Sequence, residues 1–359
     1  MKRILSVILI LILSSFIFAQ STAIQQKPLT QAEYVKMLYD VQKTPGNIPE
    51  LIETIRTRGI GFVLTDGIRG LTRTKGANNE ELKRTLEEAD RRRQNPAESK
   101  LPSEKEAIEI WTKAQAANLA AIEEMPDFVV KQLISRSAAY AGTNNWKSLD
   151  RLIVAVSYST EKGEQYQVLA LNGTRVIAEK GGNYGGLSGA TTSGEFVVAL
   201  EKLFKTESKT TYKLIDTDLI RNRKAFVFEY EIAIENNKSG ALGFGDTSPI
   251  FIQVGQKGKV WIDRETFRVL RNDYQATDIP RDFPIRVFSK LIDYDWVEIS
   301  GAKYLLPASA TGIFTTQEGQ QLFQDKNLIR FKEYQKYGSE VKILDGDEEE
   351  VKDEEKPKQ

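Results

Sequence analysis

Cysteine and histidine are both missing from the sequence, and each absence removes whole classes of chemistry. Without cysteine there is no acylated residue at the end of an export signal, and no disulfide can stabilise an exported chain, so stability must come from packing alone. Without either residue, Ser-His-Asp and Cys-His nucleophilic sites and zinc sites of the usual nitrogen and sulfur type are excluded. Charge of one sign is also lacking. Fifty basic residues balance fifty acidic ones over 359 residues, which gives no footprint for nucleic acid. No apolar run after the first twenty residues is long enough to span a bilayer.

What the sequence does contain begins with an export pattern. Lys2 and Arg3 precede an apolar run from Ile4 to Leu13, and Ser14-Ser15-Phe16-Ile17-Phe18-Ala19 ends it, as in a cleavable signal peptide over residues 1–19. The expected location is periplasmic or secreted, with no transmembrane anchor after cleavage. An uncleaved anchor is the competing reading.

Residues 28–95 read as a small helical module. Thr30 and Glu33 form a capping box, Pro45-Gly46-Asn47 breaks the first helix, and Leu51, Ile52 and Ile55 line a second that stops at Arg58-Gly59. Gly67 and Gly70 weaken any helix after Thr65, and Asn79–Arg93 is a charged last helix. Leu29-Thr30, Glu33, Arg58-Gly59-Ile60, Phe62, Leu64-Thr65, Leu71, Gly76-Ala77 and Leu82 resemble a helical module found at the N-termini of exported bacterial proteins. Residues 96–102, bracketed by Pro96 and Pro102, form a linker.

From residue 103 to 340 the pattern changes to antiparallel strands interrupted by two helices, expected over 104–125 and 193–204. Ser103 with Glu106, and Thr192 with Glu195, are capping boxes for them. The first helix places Trp111, Ala114, Ala121 and Ile122 on one face, and the second places Phe196, Leu200 and Leu203 together. Strands are expected at 128–137, 149–159, 165–171, 174–179, 211–215, 225–235 and 249–254, with an Asn172-Gly173 hairpin. The meander from Lys257 to Ala308 follows: Val260 and Ile262 pair with Phe267 and Val269 around Asp263-Arg264-Glu265-Thr266. Ile292, Tyr294 and Trp296 share one face of the next strand, and Pro307 marks an edge or a bulge. A last strand covers 327–337. Residues 345–359, with eight acidic residues against three basic ones, read as a disordered acidic tail.

This order of elements resembles the family of outer-membrane lipoprotein carriers and receptors, and exported proteins sharing that fold. Its carriers are Asp127-Phe128, Trp146, Asp150, Tyr166, Asn172-Gly173, Ser193-Gly194-Glu195-Phe196, Val260-Trp261-Ile262-Asp263, Glu265-Thr266, Ile279-Pro280, Phe283-Pro284-Ile285, Asp293-Tyr294, Leu306-Pro307 and Tyr334. The resemblance implies an α+β fold in which a large curved antiparallel sheet, a half-barrel, has helices closing its concave side over an apolar cavity that in the carriers takes acyl chains.

No reaction centre emerges. Asp293 and Asp295 could pair as catalytic carboxylates or stand solvated on a strand. The run Gly181 to Gly189 lacks the Lys-Ser/Thr ending of a phosphate loop, and Asp345, Asp347 and Glu349 lack the turn glycine and closing glutamate of an EF-hand. No metal or cofactor is expected. Trp111, Ile122, Phe196, Leu200 and Leu203 remain as candidate walls of a ligand cavity, with ordinary core as the competing reading. The expected function is non-enzymatic binding of a lipid or acyl chain; the alternative is a scaffold meeting an envelope protein through the helical module or a sheet edge.

Overall fold

The computed structural model describes residues 27–143, 145–176, 184, 189–245, 249–339 and 347. The signal-like segment, most of the Gly181–Gly189 run and the acidic tail other than Asp347 lie outside the described residues. The chain divides into two compact units, 1–93 and 94–359.

In the first unit, α1 (Gln31–Lys43), α2 (Ile48–Arg58), α3 (Asp66–Lys75) and most of α4 (Glu80–Gln94) surround an apolar core that includes Tyr34, Leu38, Leu51, Ile55, Leu82 and Leu86. The Thr30 hydroxyl accepts from Glu33 N–H at 3.2 Å while the Glu33 carboxylate accepts from Thr30 N–H at 2.8 Å, closing the capping box. α3 forms despite Gly67 and Gly70. Thr65 caps it, and buried Ile68 and Thr72 outweigh the glycine propensity, with the Tyr34 and Thr72 hydroxyls hydrogen-bonded at 2.7 Å.

The second unit begins with α5 (Glu104–Glu123), capped by the Ser103–Glu106 box. The strands are β1 (Phe128–Tyr140), β2 (Lys147–Ser159), β3 (Gly163–Leu171), β4 (Thr174–Arg175), β5 (Thr211–Ile220), β6 (Arg223–Ile232), β7 (Ala241–Phe244), β8 (Ile250–Gln253), β9 (Gly255–Asp263), β10 (Val269–Thr277), β11 (Ile285–Ile299), β12 (Ala302–Glu318) and β13 (Gln321–Lys336), with α6 (Val197–Phe204) between β4 and β5. Eleven of them form one antiparallel sheet in the order β4-β3-β2-β1-β13-β12-β11-β10-β9-β6-β5, open at β4 and β5; β7 and β8 pair apart from it. The fold is therefore α+β, with a large antiparallel sheet not closed into a barrel. Among the described residues no helix is long and apolar enough to cross a membrane.

Strand alternation assigns the two faces. Phe128, Val130 and Ile134 of β1 join Ile329 and Phe331 of β13 in the core beneath the helices, whereas Leu133 packs on the other side with Ile153 and Ala170. On that second side the fully buried Lys131 ammonium reaches Glu333 at 2.8 Å and Asp347 at 2.9 Å, so one acidic residue of the expected tail is tied to the sheet.

Trp296, expected on the face of Ile292 and Tyr294, is exposed, and pairing slips between Asp293 and Tyr294, opposite Pro307. Four local expectations are corrected. Phe267 belongs to the turn, at φ 58°, not to the strand. The segment 249–254 joins β7 in the separate hairpin, and residues 321–326 extend the last strand. The second helix starts at Val197 instead of residue 193, because Gly194 has φ 78° and the polar groups of Ser193 and Glu195 are drawn to the sheet.

Candidate functional site

Helix α5 is attached to the sheet by rings. Trp111 stacks on Tyr212 of β5 at 4.1 Å between centroids and 8° between planes, with Phe204 and Phe228 each at 5.3 Å. The alanines let the helix lie close to the strands, and one buried amide completes the join. Asn118 accepts from Val269 N–H at 3.1 Å and donates to Phe267 O at 3.0 Å, satisfying backbone groups at the β9–β10 turn.

The segment Gly189–Phe196 and α6 cover the other part of the same face through polar contacts. Asn327 of β13 donates to Ala190 O at 2.8 Å, and Lys290 of β11 donates to Ser193 O at 2.8 Å while its ammonium lies 2.6 Å from Glu195 Oε1. Tyr166 of β3 donates toward Glu195 Oε2 at 3.4 Å, and Tyr294 of β11 donates to Glu195 O at 3.3 Å. Across a flat sheet β3 and β11 would stand five strand spacings apart, about 24 Å, too far for a lysine and a tyrosine to meet at one carboxylate. That Glu195 touches both requires this face to be concave.

α6 has no local cap. Glu164 of β3 substitutes, accepting from Val197 N–H at 3.3 Å and Gly194 N–H at 3.1 Å, where the positive end of the helix favours a carboxylate. Tyr166 also donates to Glu164. Burial, followed by the neighbouring Glu195 charge, pushes the Glu164 carboxyl up. Burial alone would lower Lys290, but Glu195, Tyr274 and Glu164 together outweigh it and the ammonium is held above its ordinary range. Lys202 on α6 is lowered to about 8 by burial and by the Lys290 charge. Tyr166 and Tyr184 are pushed well up by burial and then by Glu195.

All five candidate wall residues belong to the core of this face, though not to one spot. Trp111 contacts β5, β6 and α6, whereas Phe196 sits 5.3 Å from Phe128, 5.2 Å from Phe331 and 6.4 Å from Tyr334 on β1 and β13. Leu200 and Leu203 are buried on α6 and Ile122 is half-buried near the end of α5. Asp293 is held by Arg271 through two bonds of 2.7 Å, and Asp295 lies 3.4 Å from Arg221, so both carboxylates are engaged in ion pairs.

Gln132, Arg136, Glu164, Lys290 and Asn327 were not singled out from the sequence, and Glu195 only as part of a capping box and of the resemblance, yet a signal was there. Gln132 and Arg136 stand in register with Phe128, Val130 and Ile134, and Lys290 stands in register with Ile292 and Tyr294. A polar residue at an apolar-period position is either misplaced or partnered by something distant.

No family model and no curated protein matches the chain. Among solved structures it is similar to a LolA superfamily protein from Nitrosomonas europaea, at 13% identity over 65% of this chain and 95% of that one, with a TM-score of 0.28. A DUF1329 family protein from Desulfovibrio piger aligns at 10% identity over 66% of this chain and 95% of that one, with a TM-score of 0.29. Pseudomonas aeruginosa MucB in its complex with MucA aligns at 9% identity over 61% and 93%, with a TM-score of 0.18. Scores this low do not equate the folds, and the topology above stands on the strand pairing alone.

Proposed function

We propose that the protein is a non-enzymatic periplasmic binding protein that holds a hydrophobic ligand, a lipid or acyl chain, between the concave face and the cover formed by residues 189–204. The observation that carries this reading is the construction of the cover. An eight-residue helix, about 12 Å long, lies with a short polar-tethered segment over aromatic surface contributed by Phe128, Phe331 and Tyr334. Gly189 at φ 95° and Gly194 at φ 78° bracket the segment and supply points about which it can turn. A non-enzymatic role is supported by the use already made of the acidic groups: Glu164 is occupied by two backbone N–H groups and Tyr166, and Glu195 by Lys290. The export pattern at residues 1–19 supports the location.

Native mass spectrometry of the full-length protein purified from its own envelope tests the proposal. A retained lipid mass is expected; a bare polypeptide mass, together with no binding of a hydrophobic dye, would remove it. The scaffold reading is favoured by one feature, the β7–β8 hairpin, whose Ile250 and Phe251 are each 67% exposed and whose Phe244 is 41% exposed. In that reading the concave face is solid and an envelope protein meets the hairpin.

A further inference from the structure

Beneath the Gly189–Thr192 segment, three polar atoms on neighbouring positions have no hydrogen-bond partner among the described residues: Arg136 Nη1, Asn327 Oδ1 and Thr192 Oγ1, all on buried residues. Arg136 of β1 is the cross-strand partner of Asn327 of β13, which is the partner of Gly312 of β12, so two of the atoms stand on adjacent strands and the third, that of Thr192, on the segment above them. The covering segment lies directly on it. A Cβ at Gly312 would come within 2.7 Å of Thr192 Cγ2, and one at Gly189 within 3.1 Å of Arg136 Nη1. Buried polar groups in folded proteins are nearly always paired, so a row of unpaired ones marks a place where another molecule supplies the partners.

From this row we infer a head-group subsite for an uncharged amphiphile bearing both a carbonyl and a hydroxyl, such as an acylglycerol or a glycolipid. The inference rests on the ligand-binding reading above and deepens it. One atom of the row donates, one accepts and one hydroxyl does either, which suits a group with balanced donors and acceptors. Charge argues against an acid. Asp150 grips the Arg136 guanidinium through Nε at 2.6 Å and through Nη2, neutralising it, and half-buried Asp325, two residues before Asn327 on the same face, adds a second carboxylate. A fatty-acid carboxylate would meet the uncompensated Asp325 carboxylate there; a glycerol ester would not be repelled. From this end the tail has an apolar track along Ile329 and Phe331, where the Phe196 ring now lies, so the same displacement that exposes the row frees the track. Gln132, its oxygen taken by Tyr184 at 2.8 Å and its Nε2 unpaired, offers one more donor on the way.

The test titrates a monoacylglycerol and the fatty acid of equal chain length against full-length protein carrying a hydrophobic dye, with Thr192→Val alongside. Because the Thr192 hydroxyl has no partner among the described residues, the variant should melt at the same temperature or higher. The monoacylglycerol is expected to displace the dye at about tenfold lower concentration than the fatty acid, and Thr192→Val to remove most of that preference, as loss of one hydrogen bond in a dry site does. Equal displacement by the two ligands, a preference for the acid, or an unchanged preference in Thr192→Val would overturn the subsite while leaving hydrophobic binding in place. Failure of the dye and of both ligands to bind would overturn the subsite and the proposed function together.

Discussion

The two covers of the concave face differ in kind. Twenty-residue α5 is held by Trp111 stacked among Tyr212, Phe204 and Phe228 and by one fully used asparagine, so lifting it would expose a large apolar area. The 189–204 cover has its own apolar anchors in Phe196, Leu200 and Leu203, but its position is set by Glu164, Tyr166, Glu195 and Lys290, groups that water or a ligand can satisfy instead. Apolar burial resists opening in proportion to area, whereas a polar tether loses little net free energy once it is solvated. One face thus carries a part fixed by apolar packing and a part positioned by polar tethers, the arrangement that the proposed binding role calls for.

The largest expected effects separate these parts by location. Trp111→Ala should destabilise the whole β unit by about 3–5 kcal/mol in urea unfolding, since a stacked, buried indole leaves a cavity on removal. Lys290→Met leaves Glu195 without its cation; because opening the cover lets water reach the carboxylate, the cost should stay below about 2 kcal/mol and be concentrated in the 189–204 cover. Hydrogen exchange reads the difference: amides of 190–200 should lose protection in Lys290→Met while those of β1 and β13 keep theirs. Adding Glu195→Leu should restore most of the loss. Uniform loss of protection in Lys290→Met would mean that the two covers open as one.

Leu200→Ala sharpens the comparison further. A leucine in solid core costs about 2–5 kcal/mol on truncation; under a cover that opens, the loss should fall below about 2 kcal/mol and hydrophobic-dye binding should rise. A loss at the upper end with unaltered dye binding would place α6 with α5.

The smallest effect is a pH dependence confined to the tethered part. Because the folded Glu164 pKa lies above 4.5, folding favours its protonated form; that contribution is complete below 4.5 and is lost as pH rises through the raised value. Lys202, lowered to about 8, acts in the opposite sense: folding favours its neutral form, a contribution present above 10.5 and lost as pH falls through about 8. Protection of the 190–200 amides, corrected for intrinsic exchange, should therefore decline as pH rises above 4.5. Glu164→Gln should flatten that decline. An equal decline in the α5 amides would contradict the assignment to Glu164.

By itself the sequence determined whatever short-range physics decides. The capping boxes at Thr30 and Ser103, the left-handed turn at Asn172-Gly173 and the alternation that turns Phe128, Val130 and Ile134 inward depend on residues within a few positions of one another. The bulge at Pro307 was legible for the same reason, since proline has no N–H to give a ladder. Tertiary structure decided the rest. The expected Thr192–Glu195 capping box is locally sound, yet Lys290 takes Glu195, and Glu164 from β3 caps the helix in its place. Those partners lie on strands that sequence proximity does not bring together, and they meet only because the sheet bends. Curvature is a property of eleven paired strands, and a buried charge goes where it finds its counter-charge and hydrogen bonds, because leaving it unpaired costs more than any local preference of the chain can return.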